Sequence, residues 1–300
     1  MSIHDNSTAL TKRYRAFEGV GTHPMGKSDR VLFADDFSDG LFHGWRPVHF
    51  GADRPFNPWS VETDYPLPGL FGATGSTPYR SNAFANTIST YKGLSGRLPT
   101  TGIVSFSGEF AVQSGGPNAY AWSGWMLEMD IQNWTDTVRA NPQWQCANPG
   151  DGTAARWQIK NDSASFQSIG SSTGLINPVD PLLSGVSATK SLTGGENEAK
   201  WDINYVRISF DLGDLFSVKS APTTAGYYEI NINGYRFDLR AEGAGRSARS
   251  PQGGSAISSF KGGLNFGISL FRSTSAGNVY PARIVAGGLV GTYHENGWLS

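Results

Sequence analysis

In the stretch SGWMLEMDIQNW, residues 123–134, Glu128, Asp130 and Gln132 fall at every second position and alternate with Leu127, Met129 and Ile131. Residues two apart on a β-strand point to the same side, so this spacing predicts a ladder of two carboxylates and an amide on one sheet face. Two carboxyl groups about 5 to 5.5 Å apart are what retaining glycoside hydrolysis requires, one to attack the sugar and one to protonate the leaving oxygen. The third rung is an amide, which cannot deliver that proton. The ladder therefore reads as an active site, as a polar binding surface, or as a solvated sheet face whose cross-strand pairs contribute roughly 0.2–1 kcal/mol each.

Other polar side chains follow the same alternation. Arg156, Gln158 and Lys160 alternate with Ala155, Trp157 and Ile159, and Tyr205 and Arg207 alternate with Val206 and Ile208. Acids, amides, bases and indole rings together suit sugar hydroxyls and sugar faces. The candidate ligand-binding set is Glu128, Asp130, Gln132, Trp134, Arg156, Gln158, Lys160, Tyr205 and Arg207; for an enzyme, Glu128, Asp130, Arg156 and Lys160 are the catalytic candidates. Trp125 and Trp157 lie on apolar faces, whereas Trp122, Trp134 and Trp144 read as loop-side rings available to a ligand. Asp35, Asp36 and Asp39 offer hard oxygen donors of the kind Ca²⁺ takes, in competition with turn and capping chemistry; apart from Ca²⁺ no cofactor is expected.

The elements that must position these residues are strands. Only 16% of the 300 residues are charged, and the chain carries 38 Gly with 17 Phe, 11 Tyr and 9 Trp, a composition of turns and strands. Period-two runs occur at 104–112, 125–132, 155–160, 205–212, 228–239, 264–271 and 282–293, and Asn233-Gly234 is a hairpin signal within the fifth. Such half-apolar strands bury their faces when two antiparallel sheets pack together. The expected fold is all-β: a two-sheet antiparallel β-sandwich with jelly-roll connections. Residues 1–29 read as a flexible arm, 30–300 as one domain, and about 45–100 as a long aromatic-rich loop region.

A net charge of −1 without a basic run leaves no footprint for nucleic acid. No stretch approaches eighteen apolar residues and no apolar leader opens the chain, so neither a membrane span nor a secretion signal is expected and synthesis is placed in the cytoplasm. Cys146 is the single cysteine and has no partner for an internal disulfide.

The segments FADDFSDGLFHGW, YYEININGYRFDL and LNFGISLF with ARIVAGGLVGTY resemble the laminin-G and concanavalin A-like lectin/glucanase superfamily over residues 31 to 295. RWQIKND and GGENEAKWDINYVRISFDLGD are similar to paired segments of an uncharacterised bacterial domain family. The wider resemblance implies a concanavalin A-like jelly roll. Its retaining glucanases carry Glu-x-Asp-x-(x)-Glu, which sets Glu128 at the nucleophile, Asp130 at the helper and Gln132 at the acid/base position. Its polysaccharide lyases use Arg, Gln, His or Tyr and Lys on the concave sheet; the five histidines here fall outside the clear strands. The expected function is a non-catalytic glycan-binding or assembly sandwich with carbohydrate as partner. A bacteriophage tail or capsid-surface protein, held to other subunits by the arm, is the finer expectation. The alternative is an intracellular carbohydrate-active enzyme, a lyase or glycoside hydrolase.

Overall fold

Alternation of apolar and polar residues produces long strands wherever it is sustained. A computed structural model describes residues 29–48, 59–64, 67–73, 87–94, 101–114, 122–132, 139–147, 156–160, 166–168, 202–215, 225–233, 235–240, 263–272 and 282–295. Sixteen strands form among them: β1 (Asp29–Asp35), β2 (Trp45–Val48), β3 (Trp59–Glu62), β4 (Gly69–Ala73), β5 (Thr87–Leu94), β6 (Ile103–Ser114), β7 (Trp122–Gln132), β8 (Arg139–Ala140), β9 (Gln143–Ala147), β10 (Arg156–Lys160), β11 (Phe166–Ser168), β12 (Asp202–Asp211), β13 (Gly226–Ile232), β14 (Tyr235–Asp238), β15 (Gly263–Arg272) and β16 (Ala282–His294).

They build two eight-stranded sheets. One runs β14-β13-β12-β6-β16-β4-β3, with β1 also on β16; the other runs β11-β10-β9-β7-β15-β5-β2, with β8 also on β7. Every pairing between the described strands is antiparallel. The chain is thus the two-sheet antiparallel sandwich that its alternation and its jelly-roll resemblance imply.

The long strand β16 serves two neighbours on one edge. Its first half pairs β4, its second half pairs β1, and an irregularity between Gly287 and Val290 separates them. Gly288 there has φ 54°, a left-handed conformation that costs glycine little. The inner faces meet in one aromatic core. Phe33 and Phe106 of the first sheet pack on Phe266 of the second at 5.0 and 5.3 Å between centroids, and Phe110 lies 4.9 Å from Trp125, which meets Trp157 edge-on.

Two expectations are corrected. Region 45–100 is not only loop: β2, β3, β4 and β5 lie in it. Most of these strands are short and broken by Pro47, Gly69, Gly72 and Gly93, so none carries a long alternating run. In the 228–239 run strict alternation sets Tyr228 with Ile230 and Ile232 on the apolar side, and the structure departs from it. A register shift leaves Phe210 opposite Tyr227 and Ser209 opposite Glu229, and such a bulge changes which side chains face inward. Tyr227 enters the core, and Tyr228 meets the Arg240 guanidinium at 5.0 Å. The expected arm, apart from Asp29, lies outside the described residues. Among those residues no helix is long and apolar enough to cross a membrane.

Candidate functional site

On β7 the residues Trp125, Leu127, Met129 and Ile131 enter the core, which turns Glu128, Asp130 and Gln132 to the opposite face of the second sheet. The cross-strand register extends that face. Glu128 stands beside Gln143 of β9 and Gly267 of β15, and Gly267 stands beside Tyr91 of β5, itself next to Arg46 of β2. One step along, Asp130 is beside Asn265 and Asn265 beside Gly93.

The middle of this polar face is buried although it is not the core. Glu128 is 1% exposed, Asp130 0%, Tyr91 2% and Asn265 4%. Gln132, Asn141, Gln143 and Lys160 are also buried, while Met126, Gln145 and Gln158 are half-buried and Arg46 and Gly93 exposed. The middle of the face is buried and its edges are partly or fully exposed.

Two amides hold the first carboxylate. Gln143 Nε2 donates to Glu128 Oε2 at 2.7 Å and to Asn141 Oδ1 at 2.8 Å; Asn141 Nδ2 donates to Met129 O at 3.0 Å and to Glu128 Oε2 at 3.4 Å. Gln132 Nε2 donates to Asp130 Oδ2 at 3.0 Å. The third rung therefore acts as a hydrogen-bond donor that steadies the second, and it supplies no acid.

Asn265 Nδ2 is fully buried and has no hydrogen bond of ordinary geometry among the described residues, and the buried Tyr91 hydroxyl lies against Glu128, Ser89 and Ser269. The bare Cα of Gly267 is what lets Tyr91 and Glu128 lean together. A Cβ there would run into the Tyr91 ring and come within 2.7 Å of Glu128 Cγ. Burial first, and then the Glu128 charge, push the Tyr91 phenol well above its usual pKa range.

The sequence-derived set is thus divided. Glu128, Asp130, Gln132, Gln158 and Lys160 share this face, with Gln145 Nε2 donating to Gln158 Oε1 at 2.6 Å. Arg156 belongs to the same strand as Lys160, but its side chain and all of Trp134 lie outside the described residues. Tyr205 and Arg207 are not brought to the site: they stand on β12 of the other sheet and face away from the core, among Ser105, Ser107 and Glu109 of β6. Trp144 is not a loop-side ring but a fully buried residue of β9, edge-on to Tyr227 at 4.9 Å. The Trp122 side chain is outside the described residues.

The three aspartates do not converge. Asp35 accepts from Trp45 Nε1 at 2.8 Å and Lys92 Nζ at 2.7 Å, Asp36 from the Ser38 amide at 3.1 Å, and Asp39 from the Leu41 amide at 3.0 Å and His43 Nε2 at 2.9 Å. Among the described residues no group of three metal-ligating side chains is placed to hold an ion. Sequence reasoning missed Tyr91, Asn141, Gln143, Asn265 and Gly267. The alternation Gln143-Trp144-Gln145-Cys146 and the polar phase of LNFGISLF were the available signals.

No family model matches the chain, and no curated protein matches it either. Solved structures similar to it include an endo-1,3-β-glucanase from Streptomyces sioyaensis, 10% identical over 91% of this chain and 99% of that one, with a TM-score of 0.44. Basic winged bean lectin with Tn-antigen is 9% identical over 88% and 98% of the two chains, with a TM-score of 0.42. A non-specific endo-β-1,3(4)-glucanase from family GH16 is 12% identical over 91% and 94%, with a TM-score of 0.41. Likenesses of this order assign no activity.

Proposed function

We propose that the protein is a non-catalytic saccharide-binding sandwich and that the face around Glu128 is its binding surface. The observation that carries this reading is a buried polar floor, anchored by Glu128 and its two amides, on the side of the sheet opposite the core. Burying polar groups costs free energy unless they are paired, and hydroxyl-rich ligands pair acids and amides alike. The amide at Gln132, committed to Asp130, supports binding over cleavage, since the ladder lacks its proton donor.

Titration calorimetry against a saccharide panel, for wild type and Glu128→Ala, tests the proposal. Binding by the wild type that the variant loses is the expected result. Binding by neither overturns it. Release of reducing sugar by the wild type, absent in Glu128→Gln, would establish the rival reading of a carbohydrate-active enzyme. That rival is favoured by one feature: Tyr91, a buried phenol, stands beside Glu128 across Gly267.

The finer reading places the chain on the surface of a larger particle, a bacteriophage tail or capsid, in contact with other subunits. The glycine-rich, weakly charged all-β chain supports it. Immunogold labelling of purified particles is expected to find the protein; its recovery only as free chain would overturn this assignment.

A further inference from the structure

The polar face around Glu128 differs from row to row in what a ligand could reach. The row of Glu128 and Gln143 is closed, with the two side chains bonded to each other and the residues 1% and 7% exposed. Two residues along, Gln145 of β9 stands between Met126 of β7 and Gln158 of β10, and all three are half-buried. A ligand laid on the face meets this second row. Glu128 acts on it through Gln143 and the strand that Gln143 shares with Gln145.

The row is firmly seated, because the alternate residues of its three strands, Trp125, Trp144 and Trp157, fill the core beneath it. Its chemistry is also oriented. Gln145 Nε2 donates to Gln158 Oε1 at 2.6 Å, which fixes the plane of the Gln145 amide and keeps its own oxygen, Oε1, as an acceptor. On the neighbouring strand Met126 sets a polarizable apolar side chain beside it, at the roughly 4.5–5.5 Å between Cβ atoms that directly opposed residues keep. None of the three residues is charged. A sugar hydroxyl would use the acceptor alone, and a carboxylate or sulfate, which cannot donate to Oε1, would use neither. An acetamido substituent uses both: its N–H donates to the amide oxygen while its methyl group packs on the thioether.

We infer that Gln145 and Met126 form a subsite for the acetamido group of an N-acetylated sugar, with Gln158 as the residue that positions Gln145. This deepens the binding reading above and rests on it. Gln145 and Met126 are then the specificity-determining residues of the face.

The test titrates wild type and variants by calorimetry with oligomers of N-acetylglucosamine and N-acetylgalactosamine, and in parallel with the matching oligomers of glucose and galactose. The wild type should bind an acetylated series about tenfold or more tightly than its unacetylated counterpart. Gln145→Leu and Met126→Ala should each erase most of that preference and leave any binding of the unacetylated sugars as it was. Gln158→Leu should weaken the preference, whereas Gln158→Glu, which keeps an acceptor for Gln145 Nε2, should retain it; a merely structural role for Gln158 would make no such distinction. Equal affinity of the wild type for acetylated and unacetylated sugars would overturn the inference while leaving the saccharide reading intact. A preference that survives both Gln145→Leu and Met126→Ala would overturn the assignment to this row. No saccharide bound by the wild type would overturn the parent reading, and this one with it. Should Gln145→Leu fail to fold, as its thermal midpoint would reveal, Met126→Ala carries the test.

Discussion

Tyr227 of one sheet reaches through the core to Gln143 of the other: its hydroxyl accepts from the Gln143 amide at 3.1 Å and donates to the Lys160 carbonyl at 2.7 Å. Gln143 is also the residue whose side chain holds Glu128. The core therefore fixes the ends of β9 and β10, and through them the polar floor on the far side. Tyr227→Phe removes only the oxygen and leaves a buried N–H and a carbonyl to find other partners. It should lower stability by about 1–3 kcal/mol, read by urea denaturation, and should weaken saccharide binding without touching the ligand. Unaltered stability would show that the cross-core contact is not maintained.

A second cross-sheet tie joins Lys92 of β5 to Asp35 of β1. The ammonium lies 2.7 Å from the carboxylate, also donates to His43 O at 2.6 Å, and sits 4.9 Å from the centre of the Phe33 ring. The side chains are 12% and 7% exposed, so the pair is largely withdrawn from solvent. Removing one partner strands the other charge, at a cost of about 3–5 kcal/mol, whereas replacing both with apolar residues is often close to neutral. Asp35→Ala should be strongly destabilised and Asp35→Leu with Lys92→Met much less so. A double-mutant cycle measured by denaturant unfolding checks this, and equal losses in single and double variants would refute it.

The strands that carry the floor were legible because alternation was sustained: β6, β7, β12 and β15 all have apolar residues every second place, and β7 displays its ladder openly. The short strands β2, β3 and β4 were hidden by proline and glycine, and β9 by its brevity and its polar flanks. The inward turn of Tyr227 depends on a bulge, which is set by pairing with β12 and leaves no mark in local spacing. Tyr205 and Arg207 share a type with the floor residues but not a sheet. Alternation tells which side chains share a face of one strand, and it cannot tell which strands become neighbours.

Buried phenols and the buried thiol fix the response to alkali. Burial is the main cause holding the hydroxyls of Tyr91, Tyr205, Tyr228 and Tyr293 above the usual tyrosine range, and it pushes the Cys146 thiol far up. For each group the folded state favours the protonated form. The stability it contributes is complete below the unfolded pKa, about 8.5 for Cys and 10 for Tyr, and is lost as the pH rises toward the folded value. Unfolding free energy should therefore decline above about pH 8.5 to 10, and Tyr91→Phe should flatten that decline. In the native protein near pH 8, Cys146 should resist a thiol-specific disulfide reagent and react at once on denaturation. Fast labelling of the folded chain would contradict its burial.

The ladder itself provides the remaining test. Gln132→Glu would restore a third carboxyl to the face and complete the acidic pattern that the resemblance implies. In this structure the Gln132 amide is a donor to Asp130, so the exchange removes a hydrogen bond and sets a like charge beside a carboxylate of 0% exposure. A loss of about 1–3 kcal/mol is expected, largest at neutral pH and smaller where the new acid becomes protonated, measured by denaturant unfolding across that range. Turnover should not appear. Glu128 is steadied by Asn141 and Gln143 through Oε2, whereas catalysis needs both carboxyls held in productive geometry by their surroundings. Sugar release by Gln132→Glu well above the wild-type level would show that the face lacks only its acid.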